Sequence, residues 1–130
     1  MPSVQIHDET ITGSQTEGFD LEFFSSRITA RELIARRVEE EVRHYNLKQG
    51  EVFAGLVQPD DTEKLLNGYK MKSPRRIDAA AQVEKALQAF ERNGFFLLVG
   101  DKQVENLDEE IELGLKTMVS FVKLVPLVGG

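Results

Sequence analysis

The chain has 130 residues, 29% charged and 41% hydrophobic, a balance that fits one soluble globular domain spanning 1–130. Sixteen Lys and Arg against 22 Asp and Glu leave a net charge of -6, so no basic surplus exists to neutralise phosphates, and nucleic acid and anionic membranes are poor partners. Cysteine is absent, which removes disulfides, thiolate metal sites and nucleophilic thiol chemistry carried by the chain itself.

Alternation opens the chain. Val4 and Ile6 alternate with Gln5 and His7, and after Thr10-Ile11-Thr12-Gly13 it resumes with Phe19, Leu21 and Phe23 against Asp20 and Glu22. Period 2 on both sides of a Gly-bearing polar link predicts a β-hairpin with a long, mobile tip. Thr29-Ala30-Arg31-Glu32 then reads as a capping box. The stripe Ala30, Ile34, Val38, Val42 and Tyr45 makes the following segment an amphipathic helix, fading near Asn46, with Arg36, Glu39 and Glu40 pointing away.

Residues 47–94 read as a largely helical insertion. Pro59-Asp60-Asp61 looks like a turn and N-cap before a short helix through Leu65 and Leu66, stopped by Asn67-Gly68. Ser73-Pro74 suits the start of another helix, with a stripe of Ala80, Val83, Leu87 and Phe90 ending at Asn93-Gly94. Phe95–Val99 is a strand-length apolar run, Gly100-Asp101 a tight turn, and Gln103-Val104 a short strand. Leu107, Ile111 and Leu113 sit in an acidic connector before a last strand from Met118 to Val125, ended by Pro126. The tail is residues 126–130.

Familiar enzyme signatures are missing: there is no Gly-rich phosphate loop, nucleophile elbow or His-Glu-x-x-His. His7 and His44 lie in different elements without a carboxylate at ligand spacing, and Glu39-Glu40-Glu41 reads as a solvated face. Asp108-Glu109-Glu110 is a solvated run that can also form part of a negative surface for a basic partner, and Arg75-Arg76 is a solvated pair. No metal site is expected. The start carries no signal peptide, and no run reaches the ~18 apolar residues of a spanning helix, so a cytoplasmic location is expected.

The end of the chain is the informative feature. A strand, Pro126, an apolar neck of Leu127 and Val128, and then Gly129-Gly130 read as a narrow segment that can project from the folded body. Two glycines give the most permissive backbone available, which suits a carboxylate threaded through a tunnel in another protein to meet a nucleotide.

On these residues the sequence resembles the ubiquitin-like β-grasp family with a C-terminal diglycine, which includes bacterial ubiquitin-like modifiers and the sulfur carriers of thiamin and molybdopterin synthesis. The stretch from Phe95 through Gly-Asp-Lys-Gln-Val to Val-Pro-Leu-Val-Gly-Gly is most similar to the sulfur carriers. The Thr10–Gly13 turn is similar to ubiquitin's first hairpin, and Thr29–Val42 stands where the family's single long helix belongs. The resemblance implies an α+β fold, a mixed sheet of about five strands packed on one long helix; the helical insertion at 47–94, between that helix and the third strand, departs from the family's small carriers. It also implies that the chain is no enzyme and holds no cofactor itself, ATP being used by an adenylating enzyme that acts on the carboxylate of Gly130. Pro126, Leu127, Val128 and Gly129 would be the segment bound by that enzyme, and a chain ending at Gly130 needs no protease to expose it. A conjugating enzyme and an isopeptidase are implied for a protein modifier, a sulfur-transfer synthase for a thiocarboxylate carrier. A β-grasp module that only binds proteins is the further alternative.

Overall fold

The alternation at the start produces β1 (Ser3–Thr10) and β2 (Phe19–Glu22), antiparallel, with Val4 opposite Leu21 and Ile6 opposite Phe19. The structure is a computed structural model and describes residues 1–10, 18–65, 68–73 and 75–124. The expected hairpin tip, residues 11–17, lies outside the described residues. A short strand, β3 (Arg27–Thr29), leads directly into α1 (Ala30–Lys48). The chain forms two compact units, Met1–Glu32 with Phe90–Gly130 and, inserted between them in sequence, Leu33–Ala89.

In the first unit the continuous apolar run becomes β7 (Phe95–Val99), following β4 (Val52–Phe53), β5 (Thr62–Leu65) and β6 (Gly68–Met71) of the second. β8 (Lys102–Val104), β9 (Glu110–Glu112) and β10 (Thr117–Lys123) complete it. Val99 faces Lys102 across the two-residue turn, which places Gly100 at φ +59, a left-handed conformation that favours glycine there. β2, β1, β10, β7 and β8 form one mixed sheet in that order, with β1 and β10 parallel. Residues paired in register share a face. Val4, Ile6, Leu21, Leu97, Val104, Val119 and Phe121 therefore lie on one side, and all are buried. Tilted aromatic contacts of 5.8 Å between Phe90 and Phe95 and 5.7 Å between Phe95 and Phe121 extend that core.

The acidic connector holds a strand that periodicity over so few residues does not signal. β9 pairs antiparallel with β3, Ile28 opposite Ile111, and Leu107, Ile111 and Leu113 are buried. Thr29 caps α1 as expected: its Oγ1 accepts the Glu32 N–H at 3.1 Å.

In the second unit the stripe Ile34, Val38, Val42 and Tyr45 is buried, but Leu33 and Arg37 are buried with it. Glu41 explains Arg37. Its Oε1 takes the Arg37 Nε–H at 2.5 Å, and its Oε2 takes the Leu56 N–H at 3.0 Å. The 53–57 loop is thereby tied to α1. It comes so close that a Cβ on Gly55 would sit 2.3 Å from the Phe53 ring and 2.8 Å from Glu41 Oε2. Tyr69, partly buried and near the same carboxylate, has its hydroxyl pushed up in pKa, first by burial and then by the charge of Glu41.

The short helix expected through Leu65 is instead β5. It pairs with β6 from Thr62–Met71 to Leu65–Gly68, and β4 adds to the other edge of β6. Thr62 and Lys64 alternate with Glu63 and Leu65, a period of 2 too weakly apolar to stand out, and Asn-Gly serves hairpins as readily as helix ends. The insertion is thus mixed, a three-stranded antiparallel sheet followed by α2 (Ala79–Glu91). The expected Ser73-Pro74 start falls early, with Pro74 outside the described residues. Asp78 is the cap, its Oδ1 accepting the Ala80 N–H at 3.0 Å. The stripe is also rotated from expectation: Ala80 is exposed, and the buried positions are Gln82, Ala86, Leu87 and Phe90. Gln82 is buried because its amide donates to the Val57 carbonyl at 3.2 Å.

Two outcomes follow for stability. Glu41→Ala takes the carboxylate away from the buried Arg37 guanidinium and from the Leu56 N–H, and is expected to lower stability by about 3–5 kcal/mol in urea unfolding followed by circular dichroism. Glu40 bonds Arg43 at 2.7 Å and Arg36 at 3.0 Å; these hydrogen bonds, Arg43 first, lower its pKa from 4.5 to about 2. A carboxyl depressed on folding stabilises fully above its unfolded pKa and loses that contribution as pH falls through the folded one. Wild type should therefore lose stability between about pH 4.5 and pH 2, and Glu40→Gln should flatten that part of the thermal-midpoint profile.

Candidate functional site

Pro126, Leu127, Val128, Gly129 and Gly130 all lie outside the described residues. The structure instead describes their root. β10 leads into the tail and lies between two neighbours, in seven register pairs with β1 and five with β7. Hydrogen bonding on both edges holds the strand in fixed register, so the tail starts from a rigid point. The last paired residue, Lys123, faces Thr10 on β1 and Phe95 on β7, and its Nζ lies 3.5 Å from Asp8 Oδ2. Leu124, next in the chain, is 42% exposed.

The outer face of the same sheet is uneven in chemistry. β10 sends Met118, Ser120 and Val122 to this side, and their partners on β7 are Phe96 and Leu98. Across β1 lie Gln5, His7 and Glu9, and beyond them Asp20 and Glu22 on β2. An apolar stripe thus crosses β7 and β10 toward the tail root, flanked by carboxylates, and the described strand residues of this face include no Lys or Arg. Ser120 Oγ donates to Glu9 Oε1 at 3.3 Å. The His7 ring nitrogens are buried without a hydrogen-bond partner among the described residues, and the ring lies against Gly18, where a Cβ would meet it at 2.7 Å.

The other candidate residues are dispersed. His44 does have a carboxylate in reach, contrary to expectation: its Nε2 is 3.2 Å from Glu40 Oε1, the residue one helical turn before it. The i, i+4 spacing was visible in the sequence. The Glu39-Glu40-Glu41 run is not one solvated face, because Glu39 is exposed, Glu40 binds three side chains and Glu41 is turned inward onto Arg37. Asp108 meets Arg31 at 3.4 Å and Glu110 meets Arg27 at 3.7 Å, so the second acidic run is pinned to the start of α1 and to β3. Arg75 donates to the Asp60 carbonyl. Among the described residues no group of three or more His, Asp and Glu could hold a metal ion. A cleft of about 170 Å³ between Phe90, Phe95, Phe96 and Val104 falls short of the roughly 300 Å³ at which ligand pockets begin.

No family model, curated protein or solved structure matches the chain. Among the described residues no helix is long and apolar enough to cross a membrane.

The two faces of the sheet should answer differently to mutation. Leu97→Ala, on the buried face, is expected to cost about 2–5 kcal/mol. Met118→Ser, on the outer face and 46% exposed, should stay within about 0.5 kcal/mol. Thermal unfolding of the two variants checks the register, since a one-residue slip of β10 would exchange its two faces.

Proposed function

We propose that this chain is a ubiquitin-like β-grasp protein whose Gly130 carboxylate is adenylated by an ATP-dependent activating enzyme for conjugation to target proteins. The observation that carries the reading is the place of β10. The strand leading to Pro126 and the diglycine is the central strand, parallel to the first strand and antiparallel to the β7–β8 hairpin. That is the arrangement expected of a β-grasp sheet, with the first hairpin on one side, the strand–turn–Val104 hairpin on the other, and a long helix between them in sequence.

On this reading the chain is a substrate and its chemistry happens on a partner. A carboxylate oxygen of Gly130 attacks the α-phosphorus of ATP, pyrophosphate leaves, and an acyl adenylate forms. A cysteine thiolate of the partner then displaces AMP to give a thioester, and a target lysine amine displaces the thiolate to give an isopeptide bond. Pro126, Leu127, Val128 and Gly129 form the threaded segment, and the apolar stripe of Phe96, Leu98, Met118 and Val122 offers the partner a surface next to the root. The 33–89 unit, with its own sheet and helix, adds a surface for which sulfur delivery alone has no use.

The second reading is a sulfur carrier, in which the adenylate is opened by sulfide and Gly130 becomes a thiocarboxylate. It is favoured by the order β7, turn, Val104, acidic link and β10, the part of the chain most similar to that group. Mass spectrometry of protein from its own host separates the two. Gly-Gly remnants on lysines of other proteins, lost when Gly129-Gly130 is deleted, are the expected result. A terminal species heavier by the difference between sulfur and oxygen would transfer the assignment to the carrier. Finding neither, with cellular function surviving the deletion, would leave a binding module and overturn both.

A further inference from the structure

The end of the five-stranded sheet opposite the tail root carries a separate apolar surface. β1 and β10 run parallel, so Ser3 and Thr117 mark one end of the sheet and Thr10 and Lys123 the other, roughly 20 Å away at a strand's rise per residue. At the Ser3 end, Phe24 is 97% exposed, Leu115 90% and Met1 66%. Isolated apolar residues on a surface need no explanation, but a group of large ones does.

These side chains are held there by a well-bonded backbone. The Phe23 N–H donates to the Pro2 carbonyl at 3.0 Å, and the Ser3 hydroxyl donates to the Leu115 carbonyl at 2.7 Å. The Leu113 N–H donates to the Ser26 carbonyl at 2.7 Å, joining the two loops directly, and the Gly114 N–H donates to Thr117 Oγ1 at 3.0 Å. β2 and β10 flank β1, so the loops carrying Phe24 and Leu115 border the start of β1, where Met1 and Pro2 lead in. An aromatic and an aliphatic anchor on so well-bonded a backbone bind without a large ordering cost.

Charge decides the occupant. Met1–Glu32 with Phe90–Gly130 holds more than twice as many acidic as basic residues, whereas Leu33–Ala89 is near balance. The acidic unit repels both a second copy of itself and an anionic lipid surface. We propose that Phe24, Leu115 and Met1 form a docking surface for a basic protein that presents an apolar pocket. Glu22 beside Phe24 and Lys116 beside Leu115 fix its orientation. Because this surface lies at the far end of β10, it stays available while the tail is threaded or joined to another protein. It does not depend on the tail chemistry proposed above.

The test places a photo-crosslinking phenylalanine analogue at position 24, at 115 or, as a control, at exposed Gln88, in the full chain in its own host, with and without Gly129-Gly130. One protein is expected to crosslink from 24 and from 115 but not from 88, whether or not the diglycine is present. Purified, that protein should bind the chain with an affinity that falls as salt rises. Phe24→Ser with Leu115→Ser should weaken binding by about 30-fold or more, two anchors being removed, and leave the melting temperature unchanged. No shared crosslink, a crosslink to a second copy or to lipid, salt-insensitive binding, or an unaffected double variant each overturns the proposal. Loss of the crosslink on deleting the diglycine also overturns it, by assigning the contact to tail activation. Failure of the conjugation experiment alone leaves this docking surface standing.

Discussion

The fold of the first unit depends on the pairing of its first strand with its last. Seven register pairs, from Val4–Thr117 to Thr10–Lys123, join the two ends of the described chain in parallel. Everything else in that sheet is added to this pair, the first hairpin through β2 and the second through β7 and β8. Such a contact closes nearly the whole chain into a loop, and the entropic cost of that closure is set against the contacts that the pairing makes. That cost grows only with the logarithm of loop length, about 0.6 kcal/mol for each doubling. A second unit can therefore be inserted between β1 and β10 with little penalty, provided it folds compactly by itself. The closed network around Glu41, Arg37, Leu56 and Gly55, together with the β4–β6–β5 sheet, gives residues 33–89 the internal order this requires.

The elements legible in the sequence were those whose signal is local. Thr29 and Glu32 announce the start of α1, Gly100 the β7–β8 turn, and the alternation around Val4 and Leu21 the first hairpin. Each rests on geometry within four or five residues, and the structure places each as expected. The elements that were not legible owe their form to distant partners. β9 is three residues long and exists because Ile111 meets Ile28 across more than 80 positions of sequence. Arg37 and Gln82 sit at polar positions by type, yet are buried because a carboxylate and a carbonyl from elsewhere satisfy them. An apolar stripe read from residue types alone cannot include them, so on α1 it is narrower than the true buried face and on α2 it is displaced from it.

The candidate site divides in the same way. The strand, the proline and the diglycine stand in the sequence as a linear motif. The surface beside them does not, because which residues accompany Met118 and Val122 is set by the register of β10 against β7. Once Val122 faces Phe96 and Ser120 faces Leu98, four apolar side chains from separate strands become neighbours. Glu9, Asp20 and Glu22 become their acidic border, though no two of these acids adjoin in sequence.

The acidic surplus that first served only to exclude partners is therefore unevenly placed. It belongs to the unit that carries the tail, while the inserted unit is nearly neutral. Much of it is also already engaged: Arg27 and Arg31 hold Glu110, Glu112 and Asp108 around β3 and the start of α1. The ion pairs there are exposed, so each adds little to stability, and the carboxylates remain part of the field that an approaching protein meets. A basic partner of the kind proposed would be drawn to this unit from any direction, but charge alone would not tell it which end to hold. Apolar side chains would, through the stripe beside the tail root and through Phe24 with Leu115 at the far end of the same sheet. Long-range attraction and short-range choice are thus carried by different residues. A change in either group should alter one without the other: carboxylates the rate of encounter, apolar anchors the lifetime of the complex.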